Sequence, residues 1–333
     1  MGQARKCVIA ESPDETVKNA VYLHSSWRAA STYVWAKFRH DADFYCYFEP
    51  LNEHLATATA DLIDRFRPWS FAHHPPLEEP YLAEYRPLLA KEGGIPAFPS
   101  QLAYGRYCAA PAHALPDLDS YLDALATFAD CRGRRPVYGF VRTDLRAGWF
   151  RAHRSGCHIF IRREPRRQFL SMLSQAKQGN PYFLLRPLAI LKHNREEPVF
   201  ASLLDVIDLG ALLDSPGLRA LLRGEFASDT PLATLYGLFY FMRTLARERG
   251  EACCDLVIDI DRMSLDSAYR YNIEAGVADL AGMKISFADC AVERYEAMLD
   301  RYGRFFDSFE RDFERGKWAA FGRADNSSRA ALH

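Results

Sequence analysis

The sequence predicts an α/β protein with a mostly parallel central sheet flanked by helices. Short apolar segments that favour strands alternate with longer segments whose apolar residues recur on one face, as in amphipathic helices. The 333 residues are 49% hydrophobic and 26% charged, which suffices for a large core and excludes disorder over most of the length. We expect a single domain spanning residues 1–333.

The predicted elements follow one another in the order that this class requires. Strands are expected at residues 20–24, 44–48, 137–141, 158–161 and 255–260. Helices are expected at residues 33–39, 51–66, 118–128, 146–153, 166–175, 230–248, 265–272, 273–281 and 295–313. Ser31 or Thr32 is a natural N-cap for the first helix, because a hydroxyl oxygen can accept from the free N–H groups there.

Residues 67–116 differ in composition from the rest of the chain, since they hold nine of its 18 prolines together with many aromatic residues. Prolines at this density prevent long helices and inner strands. We therefore expect an insertion packed over the sheet, as a lid or as a wall of an acceptor site. His73 and His74 within it are expected to be polar loop residues, and the tail at residues 322–333 is expected to be frayed.

Charge and cysteine content restrict the class of protein. Lys and Arg number 42 against 43 Asp and Glu, and this balance excludes a uniformly basic nucleic-acid binder, so any anion site must be local. Residues 1–21 lack the apolar run of a signal peptide, and no window approaches the ~18 apolar residues of a membrane span. The eight cysteines form no C-x-x-C or zinc-type spacing. We expect a cytoplasmic protein with reduced thiols and no metal site.

The first segment with chemical character follows the strand at residues 20–24, where a loop of small residues leads into a helix. Backbone N–H groups at such a helix start attract anions, and Arg28 adds a positive charge with a fork of donors. Ser31 and Thr32 add hydroxyls, but no Lys precedes either of them, which argues against a Walker-type ATP or GTP site. The alternative is a capped helix with a solvated arginine.

The second segment is the most basic of the chain. The strand at residues 158–161 ends in Arg162 and Arg163, and the helix that follows carries Ser171. Arg163 and Ser171 can converge on one anion. The alternative is a solvated charge cluster at the end of a strand.

Taken together, the two segments resemble the sulfotransferases that use 3′-phosphoadenosine 5′-phosphosulfate (PAPS). Residues 28–32 (Arg-Ala-Ala-Ser-Thr) occupy the frame of the family's 5′-phosphosulfate loop, R/K-S-G-[ST]-[ST]. Residues 163–166 (Arg-Glu-Pro-Arg), with Ser171 eight positions after the first Arg, are similar to the family's 3′-phosphate motif. Residues 48–50 (Phe-Glu-Pro) are similar to a segment of the bacterial and Golgi-type carbohydrate sulfotransferases.

Weaker similarities extend the resemblance in order over roughly residues 20–290. Arg142 stands where the family's K-x-P strand usually has Lys, and residues 255–265 resemble a late strand of the family. Arg315–Trp318 is weakly similar to the family's basic, Trp-containing cofactor loop. One departure is Ala30, where the family usually has Gly; if that position requires a positive φ, alanine costs ~1 kcal/mol or more.

The resemblance implies a P-loop sulfotransferase-like fold, PAPS as the donor, adenosine 3′,5′-bisphosphate as the product, and no metal. The acceptor it implies is a hydroxyl of a carbohydrate or glycolipid, and no nucleic-acid partner is expected. The residues implied to hold the 5′-phosphosulfate are Arg28, Ala29, Ala30, Ser31 and Thr32, and those implied to hold the 3′-phosphate are Arg163 and Ser171. Arg28 is also expected to stabilise the charge that develops on the leaving phosphate.

Glu49 is the expected general base, because it ends an aromatic strand whose apolar surroundings raise a carboxyl pKa. Its alternatives are a structural carboxylate that pairs with Arg28 or caps the next helix. Glu53 and His54, one turn later, are expected to bind acceptor or face solvent, and His24 is expected to be a core histidine with its hydrogen bonds satisfied.

Two other functions stay open on the sequence alone. A different P-loop transferase, such as a small-molecule kinase, would be stabilised by ATP with Mg²⁺ and would be indifferent to a 3′-phosphate. A catalytically impaired nucleotide-binding relative would bind without transferring, and Ala30 is the main support for that reading.

Overall fold

The computed structural model describes residues 20–67, 77–204 and 207–314, and these residues form an α/β fold. Its strands are β1 (Val21–His24), β2 (Phe44–Phe48), β3 (Arg135–Gly139), β4 (Cys157–Arg162) and β5 (Leu256–Asp259). Its helices are α1 (Ser31–Arg39), α2 (Ala60–Arg65), α3 (Pro116–Asp130), α4 (Ala147–His153), α5 (Pro165–Lys177), α6 (Arg186–His193), α7 (Pro198–Leu204), α8 (Leu209–Asp214), α9 (Pro216–Leu222), α10 (Leu232–Glu251), α11 (Ile260–Leu265), α12 (Ser267–Ala281) and α13 (Glu296–Glu314). The predicted fold class is confirmed.

All five strands are parallel, in the order β2-β3-β1-β4-β5. In the central strand β1, Val21 pairs with Val137 on one side and with Cys157 on the other. Every residue of β1 is buried, as expected for an inner strand of a parallel sheet with helices over both faces. Because the chain places β2 and β3 on one side of β1 and β4 and β5 on the other, the carboxyl end of β1 lies at the crevice where such sheets bind ligands.

The described part of the proline-rich segment is irregular, as the sequence predicts. Residues 77–115 hold two short 3-10 helices, Ala83–Leu88 and Ser100–Leu102, and within this range the structure has no α-helix or strand. α3 begins at Pro116, whose fixed φ suits the first helical position. The expectations for His73, His74, Arg315–Trp318 and residues 322–333 concern positions outside the described residues.

The predicted single helix at residues 51–66 is wrong. The chain forms a 3-10 helix at Glu53–Thr57 and then α2, with a break between them. At the break, the carbonyl oxygen of Ala58 accepts from the N–H of Gly94 at 2.7 Å instead of from a following turn of helix. The interruption is imposed by the proline-rich segment, which lies distant in sequence.

The predicted helices at residues 265–272 and 273–281 are also wrong in their bounds, because α12 runs through residue 272 without a break. Its start is fixed by Asp266, whose side chain accepts from the N–H of Tyr269 at 2.9 Å. Its end is fixed by Gly282, which adopts a left-handed conformation with φ +67°.

Helices α6 to α9 occupy a stretch for which the sequence predicted no element. Apolar residues of these helices, such as Leu188, Phe200 and Leu218, join α5 and α10 in one of two buried clusters. The other cluster surrounds β1, β2 and β3. Within the described residues, no helix is both long enough and apolar enough to cross a membrane.

Candidate functional site

The loop between β1 and α1 is held from two directions. The hydroxyl of Ser25 donates to the carbonyl oxygen of Phe140 at 2.6 Å. From α5, Nε2 of Gln168 donates to Oγ of Ser26 and to the carbonyl oxygen of Trp27, both at 2.7 Å. All of these side chains are buried, where an unmade hydrogen bond is expensive, so the contacts fix the course of the loop.

Three residues around this loop adopt positive φ although they are not glycine: Arg28 at +66°, Ala30 at +61° and Glu49 at +43°. A left-handed conformation costs an L-residue roughly 1–2 kcal/mol, and such strain is concentrated at functional sites. Ala30 therefore has the positive φ at which alanine is more strained than the glycine usual at this position in the sulfotransferases that the sequence resembles.

The prediction that Ser31 or Thr32 caps the first helix is wrong, because Ala30 is the N-cap and Ser31 is already helical. The left-handed backbone at Ala30 starts α1 two residues before the predicted start at residue 33. Alanine has no polar side chain with which to cap the helix. The carbonyl oxygen of Ala30 accepts from the N–H of Tyr33 at 3.1 Å, and the free N–H groups at a helix start are suited to an anion.

A cavity of about 590 Å³ opens beside this loop. Its lining includes six of the predicted site residues: Arg28, Ala30, Ser31, Thr32, Glu49 and Arg163. The other two, Ala29 and Ser171, are 1% and 0% exposed and do not line it. The positions singled out from three separate segments of the sequence therefore lie in or against the wall of one cavity.

Arg28 connects the two predicted anion-binding segments. Its Nε donates to Oγ of Ser171 at 3.0 Å, and its carbonyl oxygen accepts from Nη1 of Arg163 at 3.5 Å. The guanidinium lies over the ring of Phe183, with the guanidinium carbon 5.2 Å from the ring centre. Burial lowers the pKa of Arg28, and Tyr295 opposes this shift.

Arg163 is fixed at the carboxyl end of β4. Its Nη2 donates to the carbonyl oxygen of Glu293 at 2.6 Å, and its Nε lies 3.7 Å from Oδ1 of Asp261. That Nε is buried and has no hydrogen-bond partner among the described residues. Because Arg163 also lines the cavity, its guanidinium is suited to an anionic group on a ligand.

The motif Arg-Glu-Pro-Arg has a structural explanation beside its chemical one. The side chain of Glu164 is the N-cap of α5 and accepts from the N–H groups of Arg166 and Arg167, while Pro165 takes the first helical position. Arg166 also forms ion pairs with two carboxylates of α13. Of the arginines in this basic stretch, Arg163 is the one that lines the cavity.

Glu49 follows β2, and its N–H donates to the carbonyl oxygen of Gly139 at 2.8 Å. Its Oε2 accepts from Nδ2 of Asn52 at 3.0 Å and lies 3.5 Å from Nη2 of Arg142. Burial raises the pKa of Glu49; Arg142 lowers it and Glu53 raises it further. The raised pKa agrees with the sequence-based expectation, whereas the ion-pair partner is Arg142 and not Arg28.

Glu53 lies in the same network with the opposite behaviour. It forms a close ion pair with Nη2 of Arg142, and its Oε1 accepts from the hydroxyls of Tyr104 at 2.6 Å and Tyr182 at 3.1 Å. Although burial opposes the shift, Arg142 and these hydrogen bonds lower the pKa of Glu53 to about 2. Arg142 itself is 1% exposed, with its guanidinium over the ring of Trp27.

His24 lies in the core, as expected. Its Nδ1 is 2.9 Å from Oγ1 of Thr143 and its Nε2 is 3.1 Å from Nδ1 of His158, so both ring nitrogens have partners. Burial lowers the pKa of both histidines, which keeps the pair neutral.

Several lining residues were not singled out from the sequence as site residues. Tyr182 and Phe183 lie between α5 and α6, and residues 289–295 precede α13. These segments carry no charge pattern or glycine-rich signature, so only their position in the fold identifies them. The sequence did single out Arg142, because it stands where the K-x-P strand of the PAPS-dependent sulfotransferases usually has Lys.

Comparisons with protein-family models, with curated proteins and with solved structures find no match for this chain.

Proposed function

We propose that this protein is a PAPS-dependent sulfotransferase that transfers a sulfuryl group to a hydroxyl of a carbohydrate or glycolipid acceptor. One observation carries the proposal: Arg28, Ser171 and Arg163 come together beside the start of α1, and Glu49 lines the same cavity. This arrangement supports the proposal, because donors suited to anionic groups and a carboxylate suited to act as a base are close to one another. The order of the strands, with β1 in the centre, agrees with a P-loop type of sheet.

The residues present fit a nucleotide that carries charged groups at both its 5′ and 3′ positions. Guanidinium groups bind phosphate oxygens through paired hydrogen bonds, and Arg28 and Arg163 supply two of them. Both arginines line the cavity, so a phosphate group bound there can contact their guanidinium groups. The cavity of about 590 Å³ has the size of a typical ligand site.

When bound, PAPS supplies a sulfuryl group whose bond to the 5′-phosphate oxygen breaks as the acceptor oxygen bonds to sulfur. Arg28 and the first N–H groups of α1 stabilise negative charge at that end of the cavity. Arg163 holds the 3′-phosphate, which distinguishes PAPS from ATP, and the buried Ser171 positions Arg28 through their hydrogen bond. Glu49 accepts the proton that leaves the acceptor hydroxyl.

Aromatic lining favours a carbohydrate-like acceptor. Phe66, Tyr81 and Tyr182 line the cavity, and flat apolar rings pack against the faces of sugars. The proposal includes a cytoplasmic location, which the sequence favours and which the buried free thiols of Cys46, Cys157 and Cys290 suit.

Binding of adenosine 3′,5′-bisphosphate tests the nucleotide part of the proposal. We expect it to raise the melting temperature of the parent protein, because a ligand that binds only the folded state stabilises it. Arg163→Ala should abolish this rise. Arg162→Ala is the matched control, because Arg162 pairs with Glu251 and Asp259 and does not line the cavity.

Two further ligands separate the alternatives. Adenosine 5′-monophosphate, which lacks the 3′-phosphate, should give a much smaller rise. A rise with ATP and Mg²⁺ but none with the bisphosphate would overturn the proposal in favour of a kinase.

Transfer of labelled sulfate from PAPS to a pool of carbohydrate acceptors tests the chemical part. Glu49→Gln should reduce the transfer rate by about 10²–10⁴-fold, the usual contribution of general-base catalysis. Bisphosphate binding without any transfer would instead support a catalytically impaired relative, for which the strained Ala30 is the structural argument.

A further inference from the structure

One nitrogen of Arg142 is shared between two carboxylates. Nη2 lies 3.5 Å from Oε2 of Glu49 and forms a closer ion pair with Oε2 of Glu53. The side chain of Arg142 is 1% exposed, so its charge has little access to water and must be compensated by these neighbours. The two carboxylates therefore compete for one buried cation.

Glu53 forms the stronger ion pair with the Arg142 guanidinium. The hydroxyls of Tyr104 and Tyr182 donate to its Oε1, and Nη1 of Arg186 lies 3.6 Å from the same oxygen. These contacts fix the carboxylate in place from the proline-rich segment and from the stretch that leads into α6.

Glu49 has fewer charge-stabilising contacts. Among the described residues, its carboxylate accepts from Asn52 and, at the longer distance of 3.5 Å, from Arg142. Its side chain is 13% exposed and lines the cavity, whereas that of Glu53 is 30% exposed. A carboxylate in this position keeps its charge less readily than its neighbour does.

We propose that Glu53 is a positioning residue that draws the charge of Arg142 away from Glu49 and so leaves Glu49 free to take up and release a proton. The inference rests on the proposed function, in which Glu49 is the base. It assigns opposite roles to two carboxylates four residues apart: Glu53 stays ionised, and Glu49 exchanges protons with the acceptor. Two carboxyl groups whose surroundings separate their proton affinities are a recurrent arrangement for acid–base chemistry.

The electrostatic surroundings of Glu49 agree with this assignment. Among the described residues, the charged groups with the largest effect on it are Arg142 beyond β3 and Glu53, and it also interacts with Tyr81 of the proline-rich segment and Tyr182 before α6. The two tyrosines have raised pKa values and stay neutral, so Arg142 and Glu53 are the charges that matter. Without the charge of Glu53, the Glu49 carboxylate is no longer repelled by a neighbouring anion. Arg142 then pairs with Glu49 alone.

The first test measures the proton on Glu49 directly and needs neither PAPS nor turnover. The carbonyl stretch of the protonated Glu49 carboxyl group is isolated as the infrared difference between the parent protein and Glu49→Gln, and is followed against pH. In Glu53→Gln we expect the midpoint of this titration to fall by about one pH unit, a typical effect of a nearby charge. At a fixed pH that shift is a tenfold change in the ratio of protonated to ionised Glu49.

Two controls separate charge from other effects. Asp61→Asn removes a carboxylate from the neighbouring α2, where Asp61 is exposed and 3.9 Å from Arg65, and should leave the midpoint unchanged. Tyr104→Phe removes a hydrogen bond to Glu53 but keeps its charge, and should shift the midpoint by less than Glu53→Gln does. Arg142→Gln tests the opposite direction. It removes the cation that stabilises ionised Glu49 and should therefore raise the midpoint of the Glu49 titration.

The second test is the pH profile of sulfuryl transfer. Its acid limb, where the rate rises as the base ionises, should move to lower pH in Glu53→Gln by the same amount as the infrared titration. Transfer with the same acid limb in parent and variant, or an unshifted infrared titration, would overturn the inference. A shifted titration in a protein that transfers no sulfate would leave the competition for Arg142 standing and count against the proposed function.

Discussion

At the scale of single residues, the strained backbone beside the cavity is the main departure from ordinary geometry. Ala30 adopts a left-handed backbone conformation, which glycine would adopt without strain, whereas its neighbour Ala29 has an ordinary negative φ. The two residues are the same amino acid at adjacent positions of one loop. Comparing a glycine substitution at each therefore isolates the effect of backbone conformation on stability.

Ala30→Gly should therefore stabilise the protein by up to about 1.5 kcal/mol. The substitution relieves roughly 1–2 kcal/mol of left-handed strain and gives back about 0.5–1 kcal/mol through the greater freedom of glycine in the unfolded chain. Ala29→Gly relieves no strain and should destabilise by about 0.5–1 kcal/mol. Urea unfolding of both variants measures the difference, and equal destabilisation would contradict the strain at Ala30.

The sequence predicted residues that carry their chemistry in local spacing. Arg28, Arg163 and Ser171 belong to short motifs next to strand ends, and Glu49 ends an aromatic strand. The competition for Arg142 could not be predicted in the same way, because it depends on the ends of β2 and β3 lying side by side.

At the scale of elements, the strands were predicted to within two residues, because each is a short apolar run with clear limits, as is typical of a parallel sheet. The helix expected at residues 51–66 failed for the opposite reason. Its periodicity is real, but Gly94 takes a carbonyl oxygen that a continuous helix needs, and no local pattern reports a partner so far along the chain.

The contact between α5 and the loop after β1 gives a prediction at this scale. Gln168→Ala removes two hydrogen bonds to a buried loop and should lower the free energy of unfolding by about 1–3 kcal/mol. It should also weaken the response to adenosine 3′,5′-bisphosphate, since the loop carries Arg28. Gln178→Ala, just beyond the same helix, is the control: it loses an exposed contact with Ser174 and should change the unfolding free energy by less than 0.5 kcal/mol or so.

If both glutamine variants unfold at the same urea concentration, the loop does not depend on Gln168. In that case the loop would be held by its other contacts, the hydrogen bond from Ser25 to Phe140 and the one from Arg28 to Ser171 of α5.

At the scale of the whole molecule, the sheet and the helical layer meet closely at β4. A Cβ added to Gly250 of α10 would lie 2.2 Å from Cε2 of Phe160, which is 3% exposed on β4. This close approach packs α10 against β4 within one of the two buried clusters, and the sequence could not predict it, because a glycine in a helical segment only weakens the expectation of a helix.

Gly250→Ala should destabilise the protein by about 1–3 kcal/mol, because the new methyl group forces α10 away from a ring that is packed on all sides. Gly303→Ala in α13 is the matched control, since a Cβ there meets nothing within 4 Å. That variant should instead gain about 0.5–1 kcal/mol from the better helix propensity of alanine. Thermal and urea unfolding of the pair test this, and a neutral Gly250→Ala would show that α10 can move.

The central position of β1 also bears on how the chain is made. β1 is the first strand of the described residues, yet both of its neighbours, β3 and β4, come after the proline-rich segment and α3. During synthesis, an apolar strand with two open edges must therefore wait until much of the chain has left the ribosome before it can pair. We expect this interval, and not the native state, to be the stage at which the protein depends most on chaperones.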